Sequence, residues 1–200
     1  MADPRSGNGI NLVCSSLRDR PQWASVATYL LQTDGRHWRE ARLNAHDIAL
    51  STTNPRDESH TYFRLFLLSP SDVDDPQTWA RIDQAGGGLG NIKDTAIVFL
   101  LHHPEGIQAA MRPFMGLHVK LATKGYTLPI IPAIPQSGLP AETSETGTPT
   151  ATTAAAAAAA AAIASAIQTF HASLTDPMLY TISYRTVAWV YLLSKQPEHQ

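Results

Sequence analysis

Two nearly continuous apolar runs, residues 61–69 and 95–101, stand out in the pattern of hydrophobic and polar positions. Runs of this kind predict strands that are buried on both faces, as at the centre of a parallel sheet. Residues 10–16 predict another strand, and residues 39–51 predict an extended, half-polar segment. Residues 126–132 predict a short strand, in which two prolines indicate either an edge position in the sheet or the end of a strand.

Helical spacing fills the gaps between these strands. Pro21 can begin one helix and Pro76 a second. Residues 105–124 place most of their apolar side chains, including Ile107 and Met115, on one side of a third helix, which is predicted to be its buried side. This order of strands and helices predicts a layered α/β domain over residues 10–135. Residues 1–9 are polar and are predicted to be disordered.

The last third of the chain has a different composition. Residues 136–153 consist mainly of Pro, Gly, Ser, Thr and Glu, which is typical of a disordered linker. Residues 154–200 predict an alanine-rich helix and then a second helix with two apolar stripes. We expect one stripe to pack in the core of the domain. One alternative for the second stripe is that it is buried too, within a monomer. We predict instead that this other stripe is a partner interface, formed by Tyr180, Tyr184, Val187 and Tyr191.

Charge restricts the classes of partner. The 200 residues contain 15 Lys and Arg against 17 Asp and Glu, a net charge of −2, which excludes a histone-like binder and confines any DNA contact to one face. Arg112, Lys120 and Lys124 gather on the polar side of the 105–124 helix, and we predict that they bind DNA. The alternative is a solvated helix face. With Cys14 as the only cysteine and no signal-peptide core, the sequence predicts a cytosolic or nuclear protein without disulfides.

No polar cluster predicts a catalytic residue, a metal site or a cofactor. The glycines of residues 86–90 follow a helix and lack the dinucleotide-binding spacing, so they predict a loop. The aspartates among residues 72–75 follow an apolar strand, where nucleases hold metal ions, but no lysine precedes residue 93. Helix capping is therefore the favoured role of these aspartates. His102 and His103 are adjacent at a strand end and should point to opposite faces.

Several segments, taken in order, resemble the meiotic sporulation-protein-sixteen family. They are residues 12–17, 63–69, 96–106, 128–132 and 176–191, the last with its Tyr184-Arg185 pair. The resemblance implies a three-layer, nuclease-like (XPF-type) α/β domain with a mostly parallel sheet, followed by a C-terminal helical segment. The glycines of a helix-hairpin-helix motif are missing from this segment, so the resemblance implies a degenerate or partial form.

The same resemblance implies a function without catalysis. Members are non-enzymatic subunits of a meiotic XPF-like heterodimer in the synapsis initiation complex, which binds branched recombination intermediates and promotes crossover formation. The implied partner is a larger XPF-like protein, and the implied location is the nucleus, on meiotic chromosomes. The sequence lacks the Glu-Arg-Lys signature of active XPF-type nucleases, which fits this role. The alternatives are a small α/β nucleotide-binding protein or enzyme with an unrecognised site, and a catalytically empty recombinase-like scaffold.

A membrane role is not expected. The most apolar stretch near the C-terminus, residues 178–193, is shorter than the roughly 20 residues that a bilayer requires. It also carries Arg185 near its middle, where a charge is costly in lipid. We therefore predict a helix that is not embedded in a bilayer.

Overall fold

A computed structural model describes residues 9–33, 37–53, 60–85, 94–103, 105–134 and 150–175 of the chain. In these ranges strands and helices follow one another along the chain, with three consecutive strands in the middle. They are β1 (Asn11–Cys14), α1 (Pro21–Thr33), β2 (Trp38–Ala41), β3 (Ile48–Thr53), β4 (His60–Leu68), α2 (Pro76–Ala85), β5 (Thr95–Leu100), α3 (Ile107–Thr123), β6 (Ile130–Ala133) and α4 (Thr150–Thr175), with short 3-10 helices at Ser15–Asp19 and Pro70–Asp72.

The strands form one sheet in the order β2-β1-β3-β4-β5-β6. The predicted mostly parallel sheet is confirmed, because β2, β4, β5 and β6 all run in the direction of β1 and β3 alone is antiparallel. The prediction of a single extended segment over residues 39–51 is wrong. This segment forms β2 on the outer side of β1 and then β3, which enters between β1 and β4. Residues 42–47, which connect β2 to β3, do not form part of the sheet.

Helices cover both faces of the sheet, so the α/β domain has three layers. Along β4, Phe63, Leu65 and Leu67 pack towards α1 and α4. Phe66 and Leu68 point the other way and pack towards α2 and α3. This alternation explains the continuous apolar run, since each face of the strand meets a layer of helices. The predicted central, buried positions of β4 and β5 and the edge position of β6 are confirmed.

Helix α4 belongs to the core of this domain. Ile163, Ala164 and Ile167 are buried in the same cluster as Trp23 of α1. The Phe170 ring meets the Phe63 ring edge-on, with 5.3 Å between centroids. The core therefore extends well past residue 135, and α4 begins at Thr150 rather than after the predicted linker boundary at 153.

Several predictions fall on residues outside the described ranges. They are the N-terminal residues 1–8, the glycines of residues 86–90, most of the linker, and the interface residues Tyr180, Tyr184, Val187 and Tyr191. The part of the implied helix-hairpin-helix segment that follows residue 175 also lies there. Among the helices that the structure does describe, none combines the length and the apolar character needed to cross a membrane.

Candidate functional site at the carboxyl edge of the sheet

The connections of the sheet diverge between β1 and β4. From β1 the chain crosses through α1 to β2, and from β4 it crosses through α2 to β5 on the opposite side and over the opposite face. In open α/β sheets, ligands bind at the carboxyl ends of the strands where the connections diverge in this way. In this protein the start of β3 occupies that position, so its first residues define the candidate site.

Asp47, directly before β3, is the central residue of the site. Its side chain is only 1% exposed, although it is a carboxylate. One oxygen accepts a hydrogen bond from the Leu67 backbone N–H at 2.8 Å. The other accepts from Arg81 at 2.5 Å and from Arg20 at 3.3 Å. Two guanidinium groups and a backbone amide therefore satisfy this buried charge, as burial requires.

Arg20 extends the network to the next turn of chain. Its guanidinium donates to the Leu67 carbonyl at 2.6 Å and to Asp72 at 3.0 Å. Asp72 also accepts from both the backbone N–H and the hydroxyl of Ser69, each at 2.6 Å, which completes a capping box on the 3-10 helix after β4. We call Arg20, Asp47, Asp72 and Arg81 the arginine-carboxylate network.

The predicted capping role of the aspartates is confirmed for two of the three. Asp72 caps the 3-10 helix, and Asp75 accepts from the Gln77 backbone N–H at 3.0 Å and from the Thr78 hydroxyl at 3.2 Å at the start of α2. Asp74 instead pairs with a lysine of α3. Among the described residues, no group of three or more His, Cys, Asp or Glu is arranged to hold a metal ion.

Histidines lie at two places along this edge. Burial and then the charge of Arg64 lower the pKa of His46 below its ordinary value; the Asp47 carboxylate opposes this shift, and Arg81 adds a smaller lowering. His46 is therefore a neutral imidazole at neutral pH. After β5, His103 accepts a hydrogen bond through Nδ1 from the Glu105 backbone at 3.2 Å.

The structure brings together two of the three predicted DNA-binding residues. The Nζ atom of Lys120 lies 2.5 Å from Asp74, and that of Lys124 lies 3.0 Å from Asp83. Both ammonium groups lie over the Trp79 ring of α2, at 5.9 and 5.4 Å from its centroid. Each of these lysines is thus already paired with an aspartate.

Tyr126 strengthens one of these pairs. Its hydroxyl donates to Asp83 at 2.6 Å, and this bond, followed by the bond from Lys124, lowers the pKa of the Asp83 carboxyl. The same bond raises the pKa of the Tyr126 hydroxyl. Asp83 therefore stays ionised under all but strongly acidic conditions, and it offsets the charge that Lys124 would present to a phosphate.

Arg112 lies on a different part of α3. At about 100° per residue it is roughly 80° from Lys120 around the helix, and it is exposed. Two of its neighbours on the solvent side are apolar: Met115 is 56% exposed and Val119 is 64% exposed. The sequence pattern assigned Ile107 and Met115 to the buried side, which is wrong, because the sheet covers only the arc around Ala110, Leu117 and Leu121.

Sequence reasoning missed the arginine-carboxylate network. Arg20, Asp47 and Arg81 are separated by 27 and 34 residues, and each stands in an unremarkable local pattern. The one local signal is an aspartate that immediately precedes an apolar strand. A polar residue in that position becomes informative only when the strand is known to lie at the centre of the sheet.

Comparison of the chain with protein-family models, with curated proteins and with solved structures finds no match. Function is therefore inferred from the motifs in the sequence and from the chemistry of the side chains just described.

Proposed function

We propose that this protein is a non-enzymatic subunit of a meiotic XPF-like heterodimer. It pairs with a larger XPF-like protein, and the pair binds branched recombination intermediates on meiotic chromosomes and promotes crossover formation and synapsis initiation. The observation that carries the non-enzymatic part is the arginine-carboxylate network. At the sheet edge where a metal-dependent nuclease needs free carboxylates, Asp47 and Asp72 bind Arg20, Arg81 and backbone amides.

The outer side of α3 supports the role of a binding subunit. Ile107, Met115 and Val119 are large apolar side chains with 44%, 56% and 64% of their surface exposed. Around the helix Arg112 lies about 20° from Val119 and about 60° from Met115, and methionine and arginine are both enriched at protein interfaces. Exposed apolar side chains that group into one patch mark interaction sites. It adds a candidate contact on the α/β domain to the predicted stripe of Tyr180, Tyr184, Val187 and Tyr191.

The ion pairs of α3 refine the DNA part of the proposal. A phosphate must compete with Asp74 for Lys120 and with Asp83 for Lys124, whereas Arg112 has no ion pair within the described residues. Replacing all three cations by alanine should therefore flatten the salt dependence of DNA binding by about one counterion. If none of the three cations were paired with an aspartate, the same replacement would flatten the salt dependence by about 2.7 counterions, at roughly 0.9 per phosphate contact.

The experiment is co-expression of the full chain with the larger XPF-like protein of the same organism, followed by size-exclusion chromatography and fluorescence anisotropy with forked DNA. We expect a one-to-one complex that binds forked DNA and does not cut it with Mg²⁺ or Mn²⁺. Met115→Ser with Val119→Ser, or Tyr184→Ala with Tyr191→Ala, should weaken the complex. Gln84→Ser, an exposed position on α2, is the matched control.

Two results would contradict the proposal. One is a monomer that never co-purifies with the XPF-like protein although it melts cooperatively. The other is DNA cleavage that disappears in an Asp72→Ala variant, which would make the carboxyl edge an active site.

A further inference from the structure

The two edges of the sheet differ in what they offer to another strand. The Ile97 N–H donates to the Pro129 carbonyl and the Leu101 N–H donates to the Ala133 carbonyl. In a parallel pair this leaves residues 130, 132 and 134 with their backbone groups directed away from β5. Pro132 has no N–H, so the middle donor of the β6 edge is missing. A proline in this position prevents the addition of a strand.

The β2 edge has no such protection. The Asn11 N–H donates to the His37 carbonyl, and Asn11 and Val13 lie opposite Trp38 and Glu40 in the parallel register. Arg39 and Ala41 therefore bond to β1, and Trp38 and Glu40 direct their N–H and C=O groups outward. These four backbone groups have no hydrogen-bond partner within the part of the chain that the structure describes.

The charges along this edge are mainly positive. Glu40 is paired with Arg18 at 2.9 Å, so its charge is offset. Arg39 and Arg42 are exposed and have no ion pair among the described residues. An incoming strand would therefore meet two guanidinium groups that have no ion pair in the described ranges, beside the outward backbone groups of the exposed Glu40 and of Trp38, which is 4% exposed. Cross-strand pairs of opposite charge stabilise a sheet, whereas like charges directly opposite destabilise it.

The same charges disfavour a second copy of this chain. A two-fold antiparallel pairing centred on Arg39 would set Arg39 opposite itself, and one centred on Glu40 would set Glu40 opposite itself. A pairing centred on Trp38 would set Trp38 opposite itself and would leave Glu40 without a partner residue inside β2.

We propose that the β2 edge binds an extended, acidic segment of another polypeptide. This segment adds to the sheet as a seventh strand through Trp38 and Glu40 and pairs its carboxylates with Arg39 and Arg42.

The test uses the full chain and a fluorescein-labelled, end-capped peptide of ten alternating valines and glutamates. A peptide of alternating valine and lysine is the charge control. Glu40→Pro removes one outward N–H without touching the ladder to β1, and Glu40→Ala is its matched control because both variants lose the pair with Arg18. Arg39→Glu with Arg42→Glu keeps every backbone donor and reverses the charge. Binding is measured by fluorescence anisotropy, and protection of the residue 38 and 40 amides by hydrogen exchange.

We expect the glutamate peptide to bind wild type and Glu40→Ala with similar affinity and to slow exchange of both amides. Affinity should fall about ten-fold or more for Glu40→Pro, for the charge-reversed variant and for the lysine peptide. Glu40→Pro should melt close to Glu40→Ala, which shows that it folds.

Four results would overturn the proposal. They are no binding to wild type, equal affinity for Glu40→Pro and Glu40→Ala, equal binding of the lysine peptide, and a wild-type dimer that Glu40→Pro abolishes. Binding that appears only when Glu142 and Glu145 are replaced by alanine would likewise assign the edge to this chain's own acidic residues.

Discussion

Removing the Asp47 carboxylate should destabilise the whole α/β domain. Asp47→Ala leaves the buried Leu67 N–H without an acceptor and takes the shared carboxylate away from Arg20 and Arg81. Breaking a buried ion pair by removing one partner costs about 3 to 5 kcal/mol. The two arginine side chains are 18% and 28% exposed, and Arg20 keeps its bond to Asp72, so water and Asp72 recover part of this cost.

We therefore expect a loss of about 3 kcal/mol in the free energy of unfolding, at the lower end of that range. For a domain of this size such a loss lowers the melting temperature by roughly 10 °C. The assay is urea and thermal denaturation followed by circular dichroism. Asp74→Ala is the control, because Asp74 also pairs with a cation but its side chain is 89% exposed. Its melting temperature should stay close to that of wild type.

Asp47→Asn separates charge from shape. The amide oxygen can still accept from the Leu67 N–H, but it carries no charge for Arg20 and Arg81. Its loss of stability should fall between those of Asp74→Ala and Asp47→Ala. If Asp47→Ala unfolds at the same urea concentration as Asp74→Ala, the network does not hold this edge of the sheet together, and the reasoning from burial is refuted.

Three further predictions concern the core and pH. Ile167→Ala should cost about 2 to 5 kcal/mol in urea denaturation, against little for the exposed Ser165→Ala, because Ile167 is buried. Since the pKa of His46 is lowered in the folded state, the unfolded chain binds a proton first as the pH falls through about 6.5. Stability should therefore drop from there until the pH is below the folded-state value, and it should drop less in His46→Gln. Tyr126→Phe should raise the pKa of Asp83 in an NMR titration. Because that pKa is lowered by folding, the stability difference from wild type should be full above about pH 4 and shrink as the pH falls through the folded-state value.

Local pattern was sufficient for the strands and helices that depend on near neighbours in sequence. The apolar runs that became β4 and β5 need burial on both faces, and Pro129 and Pro132 are compatible with an edge strand or a strand end. Helix α1 likewise shows its buried stripe in the spacing of Trp23, Val26 and Leu30.

Features that depend on distant partners could not be predicted. The antiparallel entry of β3 is fixed by pairing of Ile48 with Leu65, seventeen residues further along the chain. The alanine tract has no periodicity that separates a packed helix from an exposed one, so only the three-dimensional structure shows α4 in the core. Burial of Asp47 depends on Arg20 and Arg81, which no local spacing connects to it.

The position of α4 has a consequence for synthesis on the ribosome. All six strands have been synthesised once Ala133 is added. Helix α4, which packs beside α1 on one face of the sheet, is complete only at Thr175. At about 5 to 20 residues per second, the 42 residues in between take roughly 2 to 8 s to translate. During that interval Phe63 lacks the Phe170 ring that later packs against it, and the core cluster that contains Leu65 and Val98 lacks the side chains of α4. The nascent chain therefore passes through a stage in which a chaperone can bind this face, and premature release at that stage favours aggregation.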